Sequence, residues 1–341
     1  MDNNSYLKTL LGFTLAPVFA LAIFFPFISR GPDFAEYLNH FYTSKACLTC
    51  LFDYQGLGFT VLMGTLSRLG LSFNVFLYIV VCGVLAIKLA VSSKLIDRGW
   101  LISIAFYITS YLFLHEFIQV RLAAAISLIF LAGYTYFFAN HKLIGLLTLL
   151  LSIAFHPSVL LVLLAFFTFK LTQKYFLFSV SILGVLLFLS FNKLLFSEVI
   201  LKIFEIVSEM NFGSINLYTY ELATSDYVNV NNFSVQTLDV IFVLLLYHLL
   251  RYENLHTSKY IKFYDFIAHM AILGVLLKFV TVAAPAVSFR VFELLTVGVF
   301  LLKATIVLDI SQFSLRAAYI IFCIFILTNI YVYIYSSPLL N

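Results

Sequence analysis

The sequence predicts an all-α polytopic membrane protein. About nine to twelve transmembrane segments are expected, with a broken mid-membrane hairpin and one long outer loop. Three observations carry that reading. Of the 341 residues, 63% are hydrophobic and 11% charged. A soluble domain is about 45–50% apolar and about 25% charged. Mean hydropathy is +1.05. Apolar runs of about 20 residues, enough to cross a hydrocarbon core of about 30 Å as a helix, recur along the chain. The whole of residues 1–341 reads as one integral membrane domain.

Residues 7–28 form the first expected span and carry no small-residue cleavage site before Arg30. Residues 29–54 are polar for this chain and read as a loop, and 56–69 are apolar but short. Residues 73–93 span, with Lys88, Lys94 and Arg98 at their far end. Residues 100–116 and 119–139 make a helical hairpin. Two shorter runs, 143–155 and 158–169, are divided by His156-Pro157. Residues 176–196 span, and the longest polar stretch covers 197–233. Spans at 234–250, 263–284, 286–303 and 317–335 complete the set.

Positive charge orients these elements. With the N-terminus inside, 56–69 dipping into the outer leaflet and the 143–169 pair returning to its own side, the inner face collects most of the cations. It holds Lys8, Lys88, Lys94, Arg98, Lys142, Lys170, Lys174, Arg251, Lys259, Lys262, Lys303 and Arg316, twelve of the 20 basic residues. This gives nine full crossings and an outer C-terminus. Arg121, Lys278 and Arg290 then lie near the outer interface. No basic cluster suited to nucleic acid is present. Cys47 and Cys50 form a lone C-x-x-C, so no metal centre is expected; a short-loop disulfide and two free thiols both remain open.

The polar residues inside apolar sequence are the candidate site. Residues 112–125 read LFLHEFIQVRLAAA and hold His115, Glu116, Gln119 and Arg121. An arginine near the bilayer centre costs roughly 2.5–3.5 kcal/mol. Arg121 is therefore expected at an interface or facing a polar, anion-holding cavity. Residues 143–155 span about 20 Å as a helix, too short to cross. The two halves are expected to meet at His156-Pro157-Ser158, where Pro157 starts a second helix at membrane depth. Such an N-terminus attracts anions; the plainer alternative is one Pro-kinked span with a buried histidine. Arg290 and Glu293, at i,i+3, either pair with each other or leave Arg290 to an anion. Lys278, near the outer end of its helix, is expected to snorkel or to join the same anion. In the first loop Gly31-Pro32 starts a short helix, and Asp33, Tyr37 and Phe41 share one face.

Four stretches occur in a familiar order: Gly31-x-Asp33-x-x-x-Tyr37, Gln55-Gly56-x-Gly58-Phe59, Gln119-x-Arg121-x-x-Ala124 and Phe155-His156-x-Ser158. Together they resemble the EpsG-type family of exopolysaccharide and O-antigen polymerases, the Wzy class. The motifs cover roughly residues 7–169, and the rest agrees in hydropathy and in its long late loop. Gln55 departs from relatives that carry Glu there, which removes that position as a carboxylate.

The resemblance implies a glycosyltransferase of the bacterial inner membrane with its active site facing the periplasm. Its partners would be undecaprenyl-diphosphate-linked oligosaccharides, the lipid bilayer and a chain-length regulator, with no cofactor and no nucleic acid. On that reading Asp33, His156 and Arg121 are the expected catalytic residues, with the proton going to either His156 or Asp33. Arg290, Lys278, Tyr37, Gln119 and Arg30 are the expected substrate-binding residues. Residues 197–210 are expected as a surface amphipathic helix, since Val199, Ile200, Ile203, Phe204, Val207 and Met210 repeat at helical spacing. The tyrosines, amides and carboxylates after it would suit a glycan. Three rivals share the hydropathy: a flippase for a lipid-linked glycan, a glycan ligase and a membrane acyltransferase. A flippase calls for polar residues through both leaflets, whereas here the intramembrane charges gather toward the outer one.

Overall fold

A computed structural model describes residues 34–46, 57–96, 100–112, 119–172, 234–253, 260–281 and 285–336. The expected elements at 7–28, 176–196 and 197–233 lie outside these residues, as do Arg30, Asp33, Cys47, Cys50, Gln55, His115 and Glu116. Every regular element among the described residues is helical. Four helices there are long and apolar enough to cross a membrane: Phe73–Leu95, Val120–Phe137, Val235–Tyr252 and Leu315–Val332. A fifth results if Ser288–Thr296 and Val299–Ser311 count as one broken span.

The chain divides into two compact units. One comprises Met1–Val159, Leu250–Phe263 and Phe300–Asn341, the other Leu160–Leu249 and Tyr264–Val299. The first unit opens with α1 (Phe34–Ala46), α2 (Leu57–Arg68) and α3 (Phe73–Leu95). The turn between α2 and α3 follows from its residues. Gly70 takes φ +81, and the Gly70 and Leu71 N–H groups return to Ser67 and Leu66 carbonyls, which closes α2. The Ser72 hydroxyl then accepts the Val75 N–H at 3.4 Å and caps α3. The core of these three helices is aromatic: Phe41 lies 5.5 Å from Phe73 and 5.3 Å from Phe76, and Phe59 lies 5.8 Å from Phe76. The 12 residues of α2 span about 18 Å, too few to cross a membrane alone.

The expected helix at 100–116 is α-helical only as α4 (Trp100–Tyr107) and widens into a π turn over 108–112. Thr109 lies in this turn. Its hydroxyl donates to the Ala105 carbonyl at 2.9 Å and accepts from Asn329 Nδ2 at 3.1 Å. A tight hairpin of α5 (Val120–Phe137) and α6 (Lys142–Phe155) follows, turning at Asn140 with φ 55. A Cβ on Gly145 would lie 2.7 Å from Tyr136 Cβ and 2.9 Å from Tyr136 N, so only glycine lets the two helices approach this closely. The unit is completed by a 3-10 turn (Pro157–Val159), most of α11 (Val299–Ser311) and α12 (Leu315–Ser336).

The second unit holds α7 (Leu160–Thr172), most of α8 (Val235–Tyr252) and α9 (Ile261–Val280), and α10 (Pro285–Thr296). Rings of Phe166 and Phe169 pack on Phe266, Thr168 Oγ1 lies 3.0 Å from His269 Nε2, and the Tyr247 hydroxyl donates to Asp265 at 2.8 Å. The single span expected over 286–303 is instead broken after Thr296. Gly298 sits at the break, and a Cβ there would lie 2.7 Å from Ile267 Cγ2.

Gly145→Leu should separate α5 from α6. Overpacking of this kind costs about 1–3 kcal/mol. A lower melting temperature of the detergent-purified protein is the expected result, and an unchanged one would refute the close approach.

Candidate functional site

In the first unit the break at Pro157 sets the geometry. Proline has no N–H and disfavours helical backbone in the residue before it. His156 accordingly ends α6 in an extended conformation, φ −150 and ψ 115, with its N–H still bonded to the Ser152 carbonyl at 3.1 Å. The imidazole folds over the new helix start: Nδ1 lies 2.6 Å from Ser158 Oγ and 3.4 Å from the Ser158 N–H. The serine therefore fixes the ring. The Ser158 N–H donates to Nδ1, so the neutral tautomer that keeps this bond has its lone pair on Nδ1 and its hydrogen on Nε2. The tautomer with Nδ1–H donating to Ser158 Oγ gives that bond up and leaves the lone pair on Nε2.

The antiparallel register of α5 and α6 brings Arg121 to the same end of the hairpin. Gly145 lies opposite Ala132 and Tyr136. His156 is 11 residues beyond Gly145, and Arg121 is 11 to 15 residues before that contact. At 1.5 Å per residue, both sit about 16–22 Å from it in the same direction. Arg121 and Gln119 are half-buried, in and just before the first turn of α5. Guanidinium charge and the helix N-terminus are both positive there, so they act together on an anion.

The other motif stretches reach this end of the unit through packing. Tyr37 of α1 is buried, with its ring 5.8 Å from Phe59 of α2. One residue earlier, Gly58 is seated so that a Cβ would lie 3.0 Å from Phe155 Cδ2 and 3.2 Å from the Ala154 carbonyl carbon. α2 thus rests on the last turn of α6, immediately before His156. Residues far apart in the chain, at 37, 58–59, 121 and 155–158, are brought to one end of one unit.

In the second unit Lys278 is buried within the protein. It is 1% exposed, and its ammonium donates to Thr237 Oγ1 at 2.6 Å and to Ser234 Oγ at 2.9 Å, with the Phe292 ring centroid 4.5 Å away. The fully buried Glu293 carboxylate also acts on it electrostatically. Its ammonium finds its acceptors in the hydroxyls at the start of α8. Arg290, on the same helix as Glu293, is exposed. Ser234, Thr237 and Ser288 were not singled out from sequence; the signal was the Ser-x-x-Thr pair opening an apolar span.

Two more buried lysines follow the same rule in the first unit. Lys88 donates to the Tyr107 hydroxyl at 2.6 Å, and Lys303 donates to Asn329 Oδ1 at 2.6 Å with the Phe325 ring 5.1 Å from its amine. Both are at most 3% exposed. A neutral oxygen and an aromatic face lower the cost of burying the charge.

The model of the family described as "EpsG family" matches residues 9–340, nearly the whole chain. No curated protein and no solved structure matches it.

Ser158→Ala removes the hydroxyl that orients His156, and its activity should fall about tenfold, less than the roughly 10²–10⁴-fold that loss of a whole acid–base contribution costs. His156→Ala should fall at least as far. Polymer made per unit of membrane protein checks both, and full activity in the two variants would exclude a role for the pair.

Proposed function

The chain belongs to the EpsG family, and we propose that within it the protein is a membrane glycosyltransferase that polymerises lipid-linked glycan units. The donor is an oligosaccharide on undecaprenyl diphosphate, and the acceptor is a second lipid-linked repeat unit. Family membership together with several membrane-length apolar helices makes it a multi-pass membrane protein of exopolysaccharide-polymerase type. The bacterial inner membrane, with the reacting centre on the periplasmic side, is the setting this reading requires.

What supports the reading is the register of the α5–α6 hairpin, which sets Arg121 and His156 toward the same end, together with the packing of Gly58 on Phe155 and of Tyr37 on Phe59. In the proposed step an acceptor hydroxyl oxygen bonds to the anomeric carbon of the donor. The bond from that carbon to the diphosphate oxygen breaks, and its electron pair leaves with the diphosphate. The hydroxyl proton passes to a base, His156 or Asp33. Arg121 and the dipole of the α5 N-terminus meet the charge that grows on the leaving group. A planar guanidinium suits this because its fork of donors matches phosphate oxygens. Gln119 adds a polar contact beside Arg121, and Arg30 a further cation from the first loop. Tyr37 serves by holding α1 on α2. In the second unit the exposed Arg290 contacts the diphosphate of a lipid-linked substrate. The stretch at 197–233 is assigned to the growing glycan, and a chain-length regulator is the expected protein partner.

In a host lacking its own copy, the wild-type chain should restore a polysaccharide ladder. Arg121→Ala should leave single repeat units while the protein stays in the membrane. A normal ladder from Arg121→Ala would remove the leaving-group role. Loss of all surface glycan in the host without the gene, with lipid-linked units accumulating, would favour a flippase instead.

A further inference from the structure

Two buried lysines of the first unit have no part in the proposed step, although a charge buried among apolar helices is costly to keep. Lys88 of α3 donates to the Tyr107 hydroxyl of α4 at 2.6 Å. Lys303 of α11 donates to Asn329 of α12 at 2.6 Å. Phe300 links the two. It is on α11, three residues before Lys303. Its ring centroid is 5.1 Å from that of Tyr107 and 5.7 Å from that of Phe130 on α5, the second contact edge to face. Lys88 thus holds Tyr107, Lys303 holds the helix that carries Phe300, and Phe300 meets α5.

The contact falls on a particular side of α5. Phe130 follows Arg121 by nine residues, two and a half turns at about 3.6 residues per turn, so the two are on opposite sides. Burial divides the helix in the same way. Ala123, Ile126 and Phe130 are buried, while Arg121, Leu128, Leu131 and Thr135 are half-buried and share the other side. The contact with α6 is on Arg121's side. Ala132 and Tyr136, which lie against Gly145, follow Arg121 by eleven and fifteen residues, about three and four turns. α5 is therefore held between α6, which ends at His156, and the Phe300 ring behind it.

We propose that Phe300 is a positioning residue: it backs α5 on the side opposite Arg121 and so holds Arg121 toward the His156 end of α6, in place for the leaving diphosphate. This rests on the role given to Arg121 above. Lys88 and Lys303 then anchor the ring and do not contact substrate. A phenyl ring suits the task because it fills space rigidly, and truncating it leaves a cavity into which α5 can settle. A displacement of about 1 Å at a group that acts on the transition state can cost on the order of 10²-fold in rate. Space filling alone would change stability and leave each folded molecule as active as before. Positioning acts through Arg121, so losing it costs nothing more once Arg121 is gone.

The test uses the full chain, purified and monodisperse, in vesicles with lipid-linked repeat units extracted from a host lacking the gene. Released undecaprenyl diphosphate gives kcat and KM per folded molecule. The set is wild type, Phe300→Ala, Phe300→Leu, Arg121→Ala, and Phe300→Ala combined with Arg121→Ala. Arg121→Ala should lower kcat about 10²-fold. Phe300→Ala should lower kcat about tenfold with KM within about twofold of wild type, the pattern of an interaction made only in the transition state. Phe300→Leu refills most of the space and should bring kcat to within about threefold of wild type. The combined variant should match Arg121→Ala within about threefold. A wild-type kcat in Phe300→Ala overturns the inference. A combined variant about tenfold below Arg121→Ala overturns it too, because Phe300 then acts elsewhere. If Phe300→Ala yields no monodisperse protein, the milder Phe300→Val goes through the same cycle with the same two outcomes. Failure of both to fold counts against the inference, since the ring then serves the fold. Wild-type kcat in Arg121→Ala sinks the leaving-group role itself, a failure distinct from that of Phe300.

Discussion

Hydrocarbon supplies no hydrogen bonds, so each helix end and each charge within this chain has to find its partner in the chain itself. The break at Pro157 is the strongest case. An apolar run is cut in two by a residue without an N–H, and the exposed start of the next helix is covered by the His156 ring and the Ser158 hydroxyl. The same need places Lys88 on Tyr107, Lys303 on Asn329 and Lys278 on Ser234 and Thr237. Buried polar partners in a membrane are where function concentrates, because a charge that serves no purpose there is costly to keep.

Glycines do the complementary work. Gly58 and Gly145 mark places where one helix comes too close to another for a Cβ. Gly145 sets the register of the α5–α6 hairpin, and through it the shared level of Arg121 and His156. Gly58 lets α2 rest on the last turn of α6. These apolar approaches set where the hairpin end that carries Arg121 and His156 lies against α2. That suits a site whose chemistry is positioning and charge stabilisation.

Much of this was legible in the sequence. Composition and apolar run length predict a helical membrane protein, and the helices at 73–95, 120–137 and 142–155 begin and end within two residues of the expected limits. His156-Pro157 reads directly as a break, because proline's missing N–H is a local property. Less legible were effects of tertiary partners. At the π turn over 108–112 Thr109 is bonded by Asn329, more than 200 residues away, and at the break after Thr296 Gly298 is approached by Ile267, partners that no local pattern reveals. Lysines were read as marking span ends, since charge patterning counts residues without knowing their neighbours. A tyrosine, an asparagine and a pair of hydroxyls on other helices are the partners beside which three of them are buried within the protein. Of the site, the motif residues Tyr37, Arg121 and His156 were visible, but the role of Ser234, Thr237 and Ser288 was not, since nothing local ties them to Lys278.

The central claim is that the chain transfers a glycan from a lipid diphosphate to a sugar hydroxyl. The most direct measurement reconstitutes the purified protein in vesicles with undecaprenyl-diphosphate-linked repeat units and follows both products. Released undecaprenyl diphosphate should rise in step with the lengthening of the remaining lipid-linked glycan, one lipid per added unit. Lipid-linked units that cross the vesicle membrane with no lipid diphosphate released would contradict the account.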